Sequence, residues 1–275
     1  MTSVVSVVIP VYNGLAHLPA TVDAVLSQDV ADLEVVLSDG GSTDGSLQYL
    51  RDIDDPRVRL IQQPTGTSAA GNWTAACTAA TGSMIKLVCQ DDVLGPGVLA
   101  RQVAQLEESP SAAMVVARRD IIDARGRVLY RGRGLMGLGT GVVPGRQALR
   151  ACYRHGTNVL GEPFAVLFRR SALMDALPWR DEMPLLLDLD LYTRVLDTGD
   201  VYVDDATAGS FRVSAQSWST RLVRTHIAQF EAWQSDYART YGPPRRERVQ
   251  ARVSLYGQAL LRRSAYAAVR VRRAW

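Results

Sequence analysis

The sequence predicts an α/β fold on a mostly parallel central sheet, and three observations carry that prediction. Short β-branched apolar runs alternate with segments of helical spacing as far as residue 117. The connections are long enough for βαβ crossovers, which place helices on both faces of a parallel sheet. Polar clusters fall where the strands end, which is where open α/β sheets bind their ligands.

The elements follow in order. Residues 4–9 form a β-branched run closed by Pro10, apolar enough for a strand buried on both faces. Leu15, Leu18, Val22, Val25 and Leu26 give helical spacing over 15–27. The next strand covers 33–37 and ends at Ser38-Asp39-Gly40-Gly41, with a helix beginning near residues 42–44 and carrying Leu47 and Leu50. A third strand spans 58–61, a small-residue helix 68–80, a fourth strand 84–88, a helix 96–106 and a fifth strand 112–117. Beyond residue 118 the pattern loosens. A hairpin is expected over 121–129, and a flexible loop or lid over 131–145, where six glycines fall. A strand at 164–168, a helix from Ser171, a helix at 185–196 and a late strand at 201–203 follow. From about 219 the chain reads as helical, with a break at Gly242-Pro243-Pro244.

The 275 residues, 47% apolar and 21% charged, suit a globular protein rather than a disordered one. Cys77, Cys89 and Cys152 are too scattered for a disulfide framework and read as buried thiols. The start lacks the basic stretch and cleavage site of a secretory signal, and no apolar run reaches the roughly 18 residues of a membrane span. A cytoplasmic location is the resulting expectation. The net charge of +3 is uneven: residues 243–275 hold nine arginines and only Glu247 as an acid. That tail suits an anionic membrane face or an ordinary basic surface helix. No recognised binding motif supports specific nucleic-acid binding.

Asp91-Asp92, after the fourth strand, is the strongest chemical feature. Paired carboxylates beyond a buried strand suit a divalent ion that neutralises a diphosphate, or else a helix cap before Pro96. Asp39 sits at a glycine-rich strand end, where it can meet a base or sugar or can simply close a turn with Asp44 as a helix cap. Asp188 and Asp190 lie two apart near a helix start, so they do not share a face. One can act as a general base while the other pairs with Arg194. Arg212 follows a strand and is either a phosphate ligand or surface charge. His17, His155 and His226 show no metal-ligand spacing, and neither GxGxxG nor a Walker A loop is present.

Taken together these segments resemble the family 2 glycosyltransferases. Val7-Val8-Ile9-Pro10-Val11-Tyr12-Asn13-Gly14 is similar to that family's first strand and loop. Ser38-Asp39-Gly40-Gly41-Ser42-Thr43-Asp44-Gly45 is similar to its D-D-G-S-T-D-G motif, with Gly40 in place of the second Asp. The stretch from Gly66 to Asn72 followed by Ala80-Thr81-Gly82 resembles its N-x-G-x-x-x-A-x-N and A-x-G pattern, with Pro64 in place of the first Asn. Cys89-Gln90-Asp91-Asp92 stands at D-x-D-D, so Asp91 matches the closing Asp and Cys89 replaces the opening one. Leu187-Asp188-Leu189-Asp190-Leu191-Tyr192-Thr193-Arg194 resembles E-D-x-D-L-W-x-R. Phe211-Arg212-Val213-Ser214 resembles Y-R-x-H, with Ser214 at the His.

The resemblance covers about residues 4–219 and implies a GT-A type nucleotide-sugar-binding fold. Residues 1–218 would be the transferase domain, divided into a nucleotide half (1–118) and an acceptor half (119–218), with 219–275 a helical Arg-rich extension. It implies an inverting, metal-dependent transfer from a nucleotide-diphosphate sugar to a hydroxyl on a glycan, a lipid-linked glycan or a small molecule. Asp188 would be the base, and Asp91 would hold Mg²⁺ or Mn²⁺. Pro10, Tyr12, Asn13, Asp39, Asn72, Asp91 and Arg212 would line the donor, with Asp92 and Asp190 as accessory acids. The alternatives are a degenerate binding scaffold, or a nucleotidyltransferase, whose glycine-rich basic opening loop is missing here.

Overall fold

The computed structural model describes residues 5–213 and 226–271, with side chains through residue 260 except that of His226. The strands are β1 (Val5–Val11), β2 (Leu33–Asp39), β3 (Val58–Gln62), β4 (Met84–Leu87), β5 (Val93–Leu94), β6 (Ala112–Asp123), β7 (Val128–Arg133), β8 (Gly141–Val143), β9 (Val166–Arg169) and β10 (Asp200–Val213). The helices are α1 (Leu18–Leu26), α2 (Ser46–Arg51), α3 (Ala69–Ala79), α4 (Val98–Glu107), α5 (Gly145–His155), α6 (Arg170–Ala176), α7 (Leu187–Thr198), α8 (His226–Tyr241) and α9 (Arg245–Val271).

All the described strands belong to one sheet, ordered β3-β2-β1-β4-β9-β6-β10-β5, with β7 on β6 and β8 on β10. β1, β2, β3 and β4 pair in parallel. β9 pairs antiparallel with both β4 and β6, and β6 pairs parallel with β10. Six strands therefore point one way, and their C-terminal ends share one edge. β9 runs the other way and delivers the loop before it to that same edge. The pleat of β1 sends Val5, Val7, Ile9 and Val11 into the core against α1, and Val8 into the opposite core against α3. Both faces are buried, which is why the run is apolar almost throughout.

Several boundaries differ from the sequence reading. β1 continues one residue past Pro10, because its pairing with β4 ends at Val8 and only the β2 side remains. A proline with no N–H costs nothing on that open side. The late strand is β10, fourteen residues long, with register shifts between Asp204 and Thr207 and between Thr207 and Ser210 that let polar residues interrupt the alternation. Residue 118 falls inside β6, so the two halves are parts of one sheet and not separable units. The 131–145 segment holds the end of β7 and all of β8. Leu135 is buried there and its N–H donates to the Val159 carbonyl at 2.7 Å, so this loop is anchored and not a free lid. The 218/219 boundary lies outside the described residues.

Candidate active site

Three loops at the C-terminal edge form an open cleft. Gln90 ties the first to the third: its Oε1 accepts from the Tyr12 N–H at 2.7 Å and its Nε2 donates to the Tyr12 carbonyl at 2.9 Å. Gly14 lies directly over this amide, and a Cβ there would come within 2.3 Å of it. Asn13 takes a left-handed φ of 51° and its Oδ1 accepts from the Thr43 N–H at 2.8 Å, which joins the first loop to the second. Tyr12 is left 58% exposed at the cleft mouth.

The predicted donor residues divide by position. Asp39 is buried at the end of β2 and accepts from the N–H groups of Gly41 and Ser42, at 3.0 and 3.1 Å. It shapes the loop, and a carboxylate with about four acceptor positions retains capacity for a ligand. Asp44 accepts from the Leu15 and Ser46 N–H groups, each at 3.0 Å, so it fastens the start of α2. The direct donor contact expected of Asn72 needs correction. Its amide is buried beneath Gly40, donating to the Val11 and Ser38 carbonyls and accepting from the Ser38 hydroxyl. Asn72 thus ties the ends of β1 and β2 together, under the cleft and not in it. Pro10 is buried in β1 in the same way.

Neither acid of the Asp91-Asp92 pair caps α4, whose N-cap is Gly97. Asp92 is fully buried: its Oδ1 accepts from the Arg212 N–H at 3.3 Å and its Oδ2 has no partner. Burial, then Asp91 and Glu162, push its carboxyl well above the ordinary range and favour the neutral acid. Burial also raises Asp91, while the Arg212 guanidinium draws it back. Arg212 lies in β10 beside Asp91, as a phosphate ligand would, but Nε and Nη1 donate to the carbonyls of Asp91 and Asp123. The Cys89 thiol is pushed well up by burial and by Asp92, Asp91, Asp188 and Glu162. It stays protonated and offers no charge to a cation.

Asp188 sits in the first turn of α7. Its Oδ2 accepts from Asn158 Nδ2 at 2.7 Å, and its Oδ1 from the Leu189 N–H at 2.7 Å. Burial first, then Glu162, raise the carboxyl from 3.8 to about 6, with these hydrogen bonds and Arg119 opposing. Asp190 turns away and pairs with Arg194 at 2.7 Å. Its accessory role is therefore withdrawn, because that carboxylate is already neutralised outside the cleft.

The sequence reading missed Asn158, Glu162, Arg119 and Gln90. Glu162 pairs with Arg119 and raises Asp92, Asp188 and Cys89. Asn158 also accepts from the Leu160 N–H at 2.9 Å, so its orientation is fixed from both ends of the amide. Because its N–H favours the charged form of Asp188, Asn158→Ala is expected to raise the acidic limb of a kcat/KM–pH profile above about 6. An unmoved limb would contradict this assignment.

With Asp92 neutral, Asp91, Glu162 and Asp188 still outnumber Arg119 and Arg212 in this neighbourhood, an imbalance that a cation would relieve. Among the described residues no three His, Cys, Asp or Glu side chains converge into a metal cage. Such a cage is not required by Mg²⁺, which is usually held by one or two carboxylates with substrate phosphates and water. Asp91 fits that arrangement.

Comparisons with known proteins bear on the family and the fold. An uncharacterized protein of Mycobacterium tuberculosis is 28% identical over 228 residues, covering 80% of this chain and 70% of its own length. The putative glycosyltransferase EpsE of Bacillus subtilis is 30% identical over 201 residues, with 71% and 67% covered. A Pasteurella multocida chondroitin synthase is 31% identical over 130 residues, but the match spans only 13% of that protein. Among solved structures, S. aureus TarS 1-349 superposes with a TM-score of 0.61 at 18% identity, covering 82% of this chain and 65% of that one. The mannosyltransferase PcManGT of Pyrobaculum calidifontis gives 0.59 at 17% identity, covering 98% and 81%. These two share the GT-A fold with this protein. The family model for glycosyl transferase family 2 matches residues 6–177, more than half of the sequence, and the chain belongs to that family.

Proposed function

We propose that the protein transfers a sugar, with inversion, from a nucleotide-diphosphate sugar to a hydroxyl acceptor. One observation carries this reading: a half-buried carboxylate, Asp188, oriented by Asn158 and raised to about 6, close to the pH at which a general base works best. Asp188 takes the proton of the acceptor hydroxyl as that oxygen bonds to the anomeric carbon. The bond from this carbon to the diphosphate breaks, and its electron pair leaves with the nucleotide. Attack from the face opposite the nucleotide inverts the centre. Asp39 and the Tyr12-Asn13 loop receive the nucleotide, and Arg212 stands beside the diphosphate. Asp91 would hold Mg²⁺ or Mn²⁺, which neutralises the departing diphosphate when bound. The solved relatives support the donor class: TarS 1-349 has been seen with UDP-GlcNAc, and PcManGT with GDP-Man and Mn²⁺. Thermal-shift screening of nucleotide-sugars with Mn²⁺ tests the reading, since a ligand of the folded state raises its melting temperature.

For the Arg-rich extension we propose peripheral contact with an anionic membrane at the cytoplasmic face. Among the described residues no helix is long and apolar enough to cross a membrane. In α9, Ala251 and Leu255 are buried, while Val249, Val253, Tyr256 and Leu260 form an exposed line spaced four, three and four apart. Arg245, Arg246, Arg248 and Arg252 accompany it. A second copy of this helix would set arginine against arginine, whereas anionic lipid would satisfy both the apolar line and the charge. The protein is expected to float with phosphatidylglycerol vesicles and not with pure phosphatidylcholine, and Val253→Glu with Leu260→Glu should abolish flotation. Equal binding to both vesicles, or to neither, would rule out this surface.

A further inference from the structure

One cavity in the described structure lies away from the carboxylates. It has a volume of about 760 Å³ and lies between α5, the end of α8 and the start of α9. A second cavity of about 360 Å³ adjoins it and shares Arg150, Arg154 and Glu247. α5 separates the pair from the cleft, since Cys152 on its other face is the residue that feels Asp188.

The lining is chemically lopsided. Arg146, Arg150 and Arg154 fall four apart along one face of α5, and Arg246 joins them from α9. Like charges at this spacing repel along a helix. Among the described residues only Arg150 has an ion pair here, a two-point pair with the buried Glu247 that includes a 2.8 Å bond from Nε, while Arg154 and Arg246 feel the same carboxylate only at longer range. Arg154 Nε reaches only the neutral Gln250, at 3.3 Å, and Arg146 lies over the Tyr241 ring, 5.6 Å from its centre. The other nearby acid, Asp197, is hydrogen-bonded to the Tyr241 hydroxyl at 2.8 Å. The Tyr241 and Tyr237 rings lie 4.6 Å apart, tilted by 41°, and Tyr237 stacks on Tyr153 at 4.5 Å. The cavity wall thus joins tyrosine rings to the guanidinium groups of Arg146 and Arg154, which have no carboxylate partner within ion-pair distance among the described residues.

We propose that this cavity is a second saccharide site, separate from the transfer cleft, that binds an anionic sugar. A sugar ring has apolar C–H faces that suit the tyrosine rings. Its carboxylate or phosphate would meet Arg146 and Arg154, whose planar forks match either group. In a transferase such a site holds a part of the acceptor chain remote from the reacting hydroxyl. That role rests on the proposed function, while the binding itself does not.

The experiment is equilibrium binding to the full chain of four probes: an unsulfated glucuronic-acid-containing hexasaccharide, glucose 1-phosphate, neutral maltohexaose and inorganic pyrophosphate. Binding of the hexasaccharide identifies carboxylate as the anion, and binding of glucose 1-phosphate identifies phosphate. Whichever binds should weaken at least about tenfold in Arg146→Gln with Arg154→Gln, as expected for loss of charge-assisted hydrogen bonds. Tyr241→Ala should weaken it too while leaving pyrophosphate unchanged. The arginine variant should keep the wild-type melting temperature, and both variants should keep wild-type affinity for nucleoside diphosphate. Equal binding of maltohexaose, unchanged binding in the arginine variant, pyrophosphate binding as tightly as the sugars, or no binding of either acidic sugar would overturn the proposal. Nucleotide affinity is read separately, so a failure of the transfer reading would show there and not in these arms.

Discussion

Asp188→Asn is expected to lower kcat by about 10³-fold, within the range that a general base contributes, with little change in KM for the donor. The replacement keeps size and shape, but its single amide oxygen can accept from Asn158 or from the Leu189 N–H and not from both. In the wild type, activity should fall as pH drops through about 6, because the base is then protonated. Stability should move the opposite way. The carboxyl is raised from 3.8 to about 6 on folding, so its stabilising contribution is complete below the lower value and is lost as pH rises through the upper. At pH 7.5 the charged, half-buried group costs on the order of 3 kcal/mol. The melting temperature of Asp188→Asn relative to the wild type should therefore rise between pH 4 and pH 7.5. An enzyme with undiminished turnover, or a variant whose relative melting temperature does not rise over that range, would refute the assignment.

The second large effect is expected at Asp91. Asp91→Ala should remove the Mn²⁺-dependent part of nucleoside-diphosphate binding and lower kcat/KM by about 10²–10³-fold, the scale of losing a preorganised electrostatic contact. Metal-free nucleotide binding should change little, because Tyr12, Asn13 and Asp39 sit on other loops. Asp92 provides the contrast. It is fully buried and accepts from the Arg212 N–H, so Asp92→Ala would strand a buried donor and act chiefly on stability. Calorimetric titrations with and without Mn²⁺, beside melting curves, separate the two. Mn²⁺-dependent binding that survives in Asp91→Ala would contradict its role.

The parts of the fold legible in sequence were those whose pattern is local. The alternation of β1 to β4 with their helices follows from apolar runs buried on both faces. The place of β9 between β4 and β6 is purely tertiary, and nothing in Val166–Arg169 encodes its direction. The length of β10 was hidden by Asp204, Asp205 and Thr207, which fall where the register shifts. Site residues behaved alike. Asp39, Asp91 and Asp188 stand in recognisable clusters, the choice of Asp188 over Asp190 came from the family resemblance, and the spacing of Asp190 and Arg194 offered the pairing that forms. Asn158 and Glu162 are single polar residues in a loop, brought to Asp188 only because β9 runs antiparallel. Asn72 was misassigned because a motif position does not say whether an amide faces a ligand or the strand ends beneath it.

The central claim is single displacement at the anomeric carbon with Asp188 as base. Proton NMR of the sugar first released on hydrolysis of an α-linked donor tests it most directly, because water then takes the acceptor's place. The β anomer is expected first, before mutarotation, at a rate that falls steeply in Asp188→Asn. Initial release of the α anomer would contradict it.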